Sequence, residues 1–245
     1  MSMEKKYLTQ VIDKYHLNGL VESVTWKSTE NDGFSVDFIT GTKDCAGNVK
    51  TSQDLGLGDS NICVYSTSQF NKILSIMDTF MTIDVVKGNQ NIPYQLSVKD
   101  NNFDLTYYLS SEDLIPSTPK INEPEEYEVK FSIDEDFIKN FTKAHNALDK
   151  PNYFTIESKV EDGEKFIELC VGNSDSYANK IKLRQNAEFT FGVDKMPFSA
   201  NVFKEILSVN KTAVGSAQIN ENGLLKLVFT EEDTISTYFL VKLSE

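Results

Sequence analysis

Two histidines, three cysteines and one arginine are all that 245 residues contain of those types, and each shortage excludes something. His16 and His145 have no motif-placed nucleophile beside them, so neither reads as the base of a catalytic dyad. Cys45, Cys63 and Cys170 are odd in number, widely spaced and free of any CxxC. They read as reduced thiols of a cytosol-like compartment, not as a disulfide framework or a zinc site. No run of apolar residues is long enough to span a bilayer. The start, MSMEKKYLTQVIDKY, is too polar for a signal peptide and holds acidic residues that transit peptides avoid. Phosphate-binding loops are lacking too: GLGDS at 56–60 has neither the GxGxxG spacing nor a terminal Lys-Ser/Thr. DNNFD, beginning at Asp100, has neither the spacing nor the glycine of a calcium-binding EF-hand loop. The acidic groups EDG, EED and EPEE fit solvated turns better than metal ligands. No catalytic residue, metal or cofactor is expected.

Positive charge is scarce as well. Lys and Arg number 24 against 37 Asp and Glu, a formal charge of −13, with a pI near 4.7. That balance argues against a general nucleic-acid binder, whose signature is a basic surplus. It permits one whose cations share a single surface, because fields are local at a Debye length of about 8 Å.

What is present is best seen at Asp134–Lys150, DEDFIKNFTKAHNALDK. At 100° per residue Phe137, Phe141, Ala144 and Leu148 share one side of a helix, with Ile138 beside them, while Lys139, Lys143, Asn146 and Lys150 share the other. Asp134 is placed to N-cap it, Glu135 and Asp136 charge its first turn, and Pro151 closes it. A solvated surface helix would read the same way in isolation. An acidic chain that keeps lysines on this face invites a functional reading.

Taken in order, residues 4–16 form a first helix with Leu8, Val11, Ile12 and Tyr15 on its apolar face, Lys6 opposite, Lys5 and Lys14 flanking, and Gly19 as its stop. VESVTWKS and GFSVDFIT alternate as strands joined through Glu30-Asn31-Asp32-Gly33, a hairpin signal. Residues 41–59 are polar and glycine-rich, a loop or weak edge strand. NICVYS leads into a second helix at Thr67, with Phe70, Ile73, Leu74 and Met77 apolar and Lys72 opposite. Three strands follow: TFMTIDVV, IPYQLSVK and FDLTYYLS. Residues 110–126 then hold three of the six prolines, Pro116, Pro119 and Pro124, and read as an extended linker with Leu114 and Ile115 buried against a surface. Beyond it the order recurs: strand YEVKFSI, the helix at 134–148, a hairpin turned at Glu161-Asp162-Gly163, and strands NKIKLR and EFTFGV. A helix at 199–210 with Val202, Phe203, Ile206 and Leu207 apolar and Lys204 and Lys211 opposite precedes three closing strands.

Helix starts near 4, 67, 134 and 199 are almost evenly spaced. A helix-plus-strands unit is therefore written four times, two per domain, each copy placing a lysine-bearing helix face opposite its core. The fold class implied is α+β, helices on one face of antiparallel sheet. The domains expected are 1–110 and 127–245, with 111–126 connecting them.

This order, and particular residues within it, resemble the DNA sliding clamps, those of T4-like tailed phages most of all. The likeness is clearest over 126–245, in DEDFIKNFTKA, VGNSDSYANKIKL, EFTFGVDKMPFSANVFKEIL and LLKLVFTEEDTISTYFLVKL, and in the connector IPSTPKINEP; FNKILSIM carries it in the first domain. The resemblance implies a homotrimer of two-domain subunits joined head to tail through edge strands, closing a six-domain ring whose helices line the hole. It implies a processivity factor without catalytic activity, working in the cytosol of an infected bacterium. Its partners would be sequence-independent duplex DNA, the replicative DNA polymerase, the clamp loader and late-transcription factors.

On that reading Lys5, Lys6, Lys14, Lys72, Lys139, Lys143, Lys150, Lys204 and Lys211 face the DNA. A sliding tether needs a weak, delocalised attraction to phosphate, which a flexible ammonium suits better than the bidentate fork of Arg184, the one arginine beside 23 lysines. The apolar tails of partner proteins would enter a pocket at the connector bordered by Leu114, Ile115, Pro116 and Ile121, with Tyr238, Leu240 and Val241 from the last strand. Two rivals are a non-ring two-domain interaction or virion protein whose lysine faces are merely solvated, and a hydrolase using buried carboxylates.

Overall fold

The computed structural model describes residues 2–29, 33–172 and 178–244. The chain forms two compact units. The first holds residues through Gly41, Gly47–Pro119 and Glu232–Ser236; the second holds Thr42–Ala46, Lys120–Glu231 and the residues from Thr237 on.

In the first unit, β1 (Ser2–Glu4) precedes α1 (Lys5–His16), then β2 (Val24–Thr29), β3 (Gly33–Ile39), β4 (Cys45–Thr51), β5 (Ser60–Val64), α2 (Thr67–Ser75), β6 (Phe80–Lys87), β7 (Pro93–Lys99) and β8 (Asp104–Tyr108). All pairings resolved are antiparallel, in two groups: β1-β6-β7-β8 and β5-β2-β3-β4. Alternation turns Trp26, Val36 and Ile62 inward and leaves Thr25, Lys27, Asp37 and Asn61 on the opposite face. The inward face meets the helices: the Trp26 ring lies 5.6 Å from Phe70 of α2, and its Nε1 donates to the Tyr15 hydroxyl of α1 at 3.0 Å. That bond satisfies an indole N–H which burial would otherwise leave unpaired.

Residues 41–59 are not simply loop. Cys45, Val49 and Thr51 are buried in β4 while Lys50 is exposed. The period of two was hidden by the small residues Ala46 and Gly47, which pack closely without contributing a hydrophobic signal. The expected turn at Glu30–Asp32 lies outside the described residues. Gly33, just after it, sits at φ +72, and a Cβ there would fall 2.5 Å from the Thr51 carbonyl, so only glycine fits.

The second unit runs β9 (Val129–Ile133), α3 (Glu135–Asn146), β10 (Tyr153–Glu161), β11 (Glu164–Val171), β12 (Ile181–Asn186), β13 (Glu188–Phe189), β14 (Met196–Ser199), α4 (Ala200–Val209), β15 (Val214–Ile219), β16 (Leu224–Glu231) and β17 (Thr234–Val241). Its strand orders are β12-β11-β10-β14 and β13-β9-β15-β16-β17. The expected strand EFTFGV shrinks to the two residues of β13, and the neighbour of β10 is β14 instead. Gly192 explains the break: its backbone passes so near Ser158 that an added Cβ would lie 2.7 Å from that side chain. The core is a phenylalanine cluster, with Phe203 of α4 lying 4.7 Å from Phe141 and 4.6 Å from Phe154, ring centre to ring centre. Three helices start on a side-chain cap: Ser66 accepts from Gln69 N, Asp134 from Phe137 N and Ser199 from Val202 N. Each such cap stabilises by about 1 kcal/mol.

Candidate nucleic-acid interface

The organising helix forms as its pattern dictates. Asp134 Oδ1 accepts from Phe137 N at 2.8 Å, Glu135 and Asp136 lie in the first turn, and Lys143 lies in the last, each sign favouring its end of the helix dipole. Phe137, Ile138, Phe141 and Ala144 are buried, and Lys139 and Lys143 are exposed. The segment that follows α4 runs alongside. Glu135, Ile138, Lys139, Thr142 and Lys143 together with Lys211, Thr212 and Ala213 line a groove of about 650 Å³. Three lysines from two stretches far apart in sequence thus border one concave surface together with Thr142 and Thr212, the Thr212 hydroxyl donating to Glu231. Lys139, Lys143 and Lys211 make no ion pair or side-chain hydrogen bond among the described residues. Such a surface suits a polyanion held loosely.

The remaining lysines of the expected stripe are placed less uniformly. Lys72 of α2 and Lys150 after α3 are exposed. Lys6 is exposed but ion-paired with Glu4 at 3.0 Å, and that carboxylate raises its pKa. Lys5 is half-buried and donates to the Met77 carbonyl beyond the end of α2. Lys204 is half-buried and paired with Glu205 at 3.2 Å. Lys14 corrects the expectation outright: it is 2 % exposed. The flank of α1 that carries Lys14 is covered in the last turn, Tyr15 and His16 being buried with it, while Gln10 and Asp13 on the polar side stay exposed.

The connector has two anchorages. On the first unit, Glu112, Ile115, Pro116, Ser117 and Thr118 border a cleft of about 230 Å³ against Thr25, Lys27, Asp37 and Asn61, the sheet face turned away from the helices. On the second, Glu123 accepts from Lys226. Leu114, expected to be buried with Ile115, is 59 % exposed; Ile115 and Ile121 are half-buried and Pro116 is exposed. Tyr238 and Leu240 are not surface residues at all, at 0 % and 1 % exposure. Tyr238 is core, its ring 6.0 Å from Phe229 and its hydroxyl accepting from Asn210 Nδ2 at 2.9 Å. Of the expected strand residues Val241 alone is exposed, because alternation along β17 turns it outward.

No family model matches the sequence, and no curated protein does. Solved structures do match the fold. The chain aligns over 100 % of its length with 98 % of the A. fulgidus PCNA solved with the C-terminal region of FEN-1 bound, at a TM-score of 0.75 and 19 % identity. Proliferating Cellular Nuclear Antigen from Entamoeba histolytica matches at 0.74 and 13 % identity, over 98 % of this chain and 96 % of that one. The beta subunit of DNA polymerase III from Borrelia burgdorferi matches at 0.71 and 16 % identity, over 100 % of this chain and 62 % of that one. The chain has the DNA clamp fold.

Within that clamp fold, helix periodicity located Lys139, Lys143 and Lys211 separately. It had no means of bringing Thr142, Thr212 and Glu135 into the same groove, since Thr212 belongs to no helix and Glu135 reads only as a first-turn acid.

Proposed function

We propose that the protein is a sliding clamp: a ring that encircles duplex DNA without reading its sequence and tethers the replicative DNA polymerase as a processivity factor. The observation that carries this reading is the end-to-end match of both units to clamp structures, joined to a lysine-lined groove on an otherwise acidic chain. The chain itself performs no chemistry on this reading. Weak phosphate contacts hold the duplex near the helices, and enclosure rather than affinity prevents escape.

The ring is a homotrimer closed head to tail. In support, β8 ends one strand order of the first unit and β12 ends one of the second. The two are of similar length, five and six residues. Pairing β8 of one subunit with β12 of the next would satisfy both rows of backbone groups and leave neither edge exposed. Partner proteins dock an apolar tail beside the connector, where Leu114, Ile115 and Pro116 of the first unit are accessible in whole or in part. The clients are the polymerase, a clamp loader and late-transcription factors of a tailed phage, acting in the cytosol of its bacterial host.

Retention on circular against linear DNA tests the reading. With the cognate loader and ATP, the clamp is expected to stay on a nicked circle and to run off the same molecule once linearised. Equal retention on both, or a monomer at every concentration in light scattering, would favour a non-ring interaction protein.

A further inference from the structure

We infer that the attraction to the duplex is divided unequally between the two units, with Lys139, Lys143 and Lys211 of the second supplying most of it. The inference rests on the clamp reading and adds a location to it. Among the described residues each unit has two α-helices, and the repeat would have them contribute alike. Their cations are in different states.

In the first unit α1 offers three lysines, none of them free. Lys5 donates to the Met77 carbonyl, Lys6 faces Glu4 at 3.0 Å, and Lys14 is 2 % exposed. Among the described residues of that unit, Lys72 on α2 is the one exposed helix lysine outside those commitments. In the second unit Lys139, Lys143 and Lys211 border one groove, and none of the three is paired among the described residues.

The difference matters because of how charge acts through water. A lysine beside its own carboxylate is a dipole, whose field fades faster than that of a lone charge and is further cut by salt. A buried lysine reaches a phosphate only by unpacking the turn around it. Three unpaired ammonium groups on one concave surface add their fields, and each phosphate they neutralise releases counterions. Glu135, which also lines the groove, and Glu231, which holds the Thr212 hydroxyl, oppose them and keep the attraction shallow. A shallow attraction is what permits movement along the duplex.

Two charge-reversal pairs test the division: K139E/K143E in the second unit and K6E/K72E in the first, both in the full chain. Each pair alters net charge by the same amount, so any difference between them reports location. Circular dichroism and light scattering confirm that fold and assembly are kept. Binding to a fluorescein-labelled duplex is then followed by anisotropy across a salt series. The second-unit pair is expected to weaken binding at least about tenfold and to reduce the slope of log K against log salt by about 2, one for each lost phosphate contact. The first-unit pair is expected to cost less than about threefold. Lysine acetylation of the unaltered protein gives an independent reading: duplex should protect Lys139, Lys143 and Lys211 and leave Lys5, Lys6 and Lys14 unchanged. Equal losses from the two pairs, or protection spread evenly, overturn the division while leaving the clamp intact. Absence of any duplex affinity in the unaltered protein at low salt overturns the clamp reading itself and the division with it.

Discussion

Lys226 of β16 and Glu123 of the connector form an ion pair set between two aromatic rings. The Lys226 ammonium lies 5.9 Å from the centre of the Tyr127 ring and 5.6 Å from that of Phe239. Tyr127 also donates to Glu123, at 3.3 Å, and burial together with that carboxylate pushes the phenol up to about 12. A segment with almost no regular structure of its own is thereby tied to a sheet by one clasp of charge and rings.

Cutting the clasp should free the connector and barely touch global stability. A half-exposed ion pair contributes about 0.2–1 kcal/mol, and each cation–π contact about as much. Lys226→Ala is therefore expected to lower stability by no more than about 1–2 kcal/mol while amide exchange across 120–127 accelerates. The exchanged pair E123K/K226E should recover part of the protection. Exchange rates unchanged in Lys226→Ala would mean the connector is held by its backbone and prolines alone.

Edge pairing can be broken without disturbing a core. Thr106 and Tyr108 on β8 are exposed, Tyr108 by 72 %. The double substitution T106E/Y108E is expected to shift sedimentation from three chains per particle to one, with the melting temperature of the single chain little altered. Trimers that persist at low concentration would place the subunit contact on a different edge.

Much of the fold was legible because its signals are local and repeated. The four helices begin at Lys5, Thr67, Glu135 and Ala200, each within a residue of where capping and period put it. What escaped was set by packing. β4 is built from residues too small to announce a strand, and β14 exists because Gly192 lets the chain pass close to Ser158. Side-chain commitments were hidden in the same way: no helix wheel shows that Lys14 is enclosed, that Lys5 meets a carbonyl 72 residues away, or that Tyr238 turns inward to Asn210.

His145 gives the second unit a pH dependence. It is 9 % exposed, and burial, opposed by the neighbouring Asn146 side chain and Glu205 carboxylate and aided by the positive charge of Lys204, lowers its pKa; neither ring nitrogen has a well-formed hydrogen bond among the described residues. The unfolded chain then takes up the proton at a higher pH than the folded one. The folded state is at its best above the ordinary histidine range near 6.5 and loses stability as pH falls from there toward the depressed value. Replacement by an apolar residue of similar size removes the cost of an unpaired ring. His145→Leu should match the parent protein at neutral pH within about 1 kcal/mol and exceed it in acid. Parallel stability curves across pH in urea titrations would show that the ring gains a proton as easily folded as unfolded.

Gly215 on β15 is a packing constraint that composition alone would pass over. A Cβ built there would lie 2.5 Å from the Phe229 ring and 3.0 Å from the Ile133 side chain, both on neighbouring strands. Phe229 is buried against Tyr238, so its ring has nowhere to retreat without moving the core. One added methyl group is therefore expected to cost about 1–3 kcal/mol, the range for overpacking a filled interior. Shrinking the obstacle should return part of that cost. G215A/F229L is expected to be more stable than the sum of its single substitutions, with a favourable coupling of about 0.5–2 kcal/mol in a double-mutant cycle. Strict additivity would mean the ring yields freely and that the glycine is there for another reason. A measured coupling would locate, in one residue, what lets Phe229 of β16 and Ile133 of β9 pack over β15 on either side of Gly215.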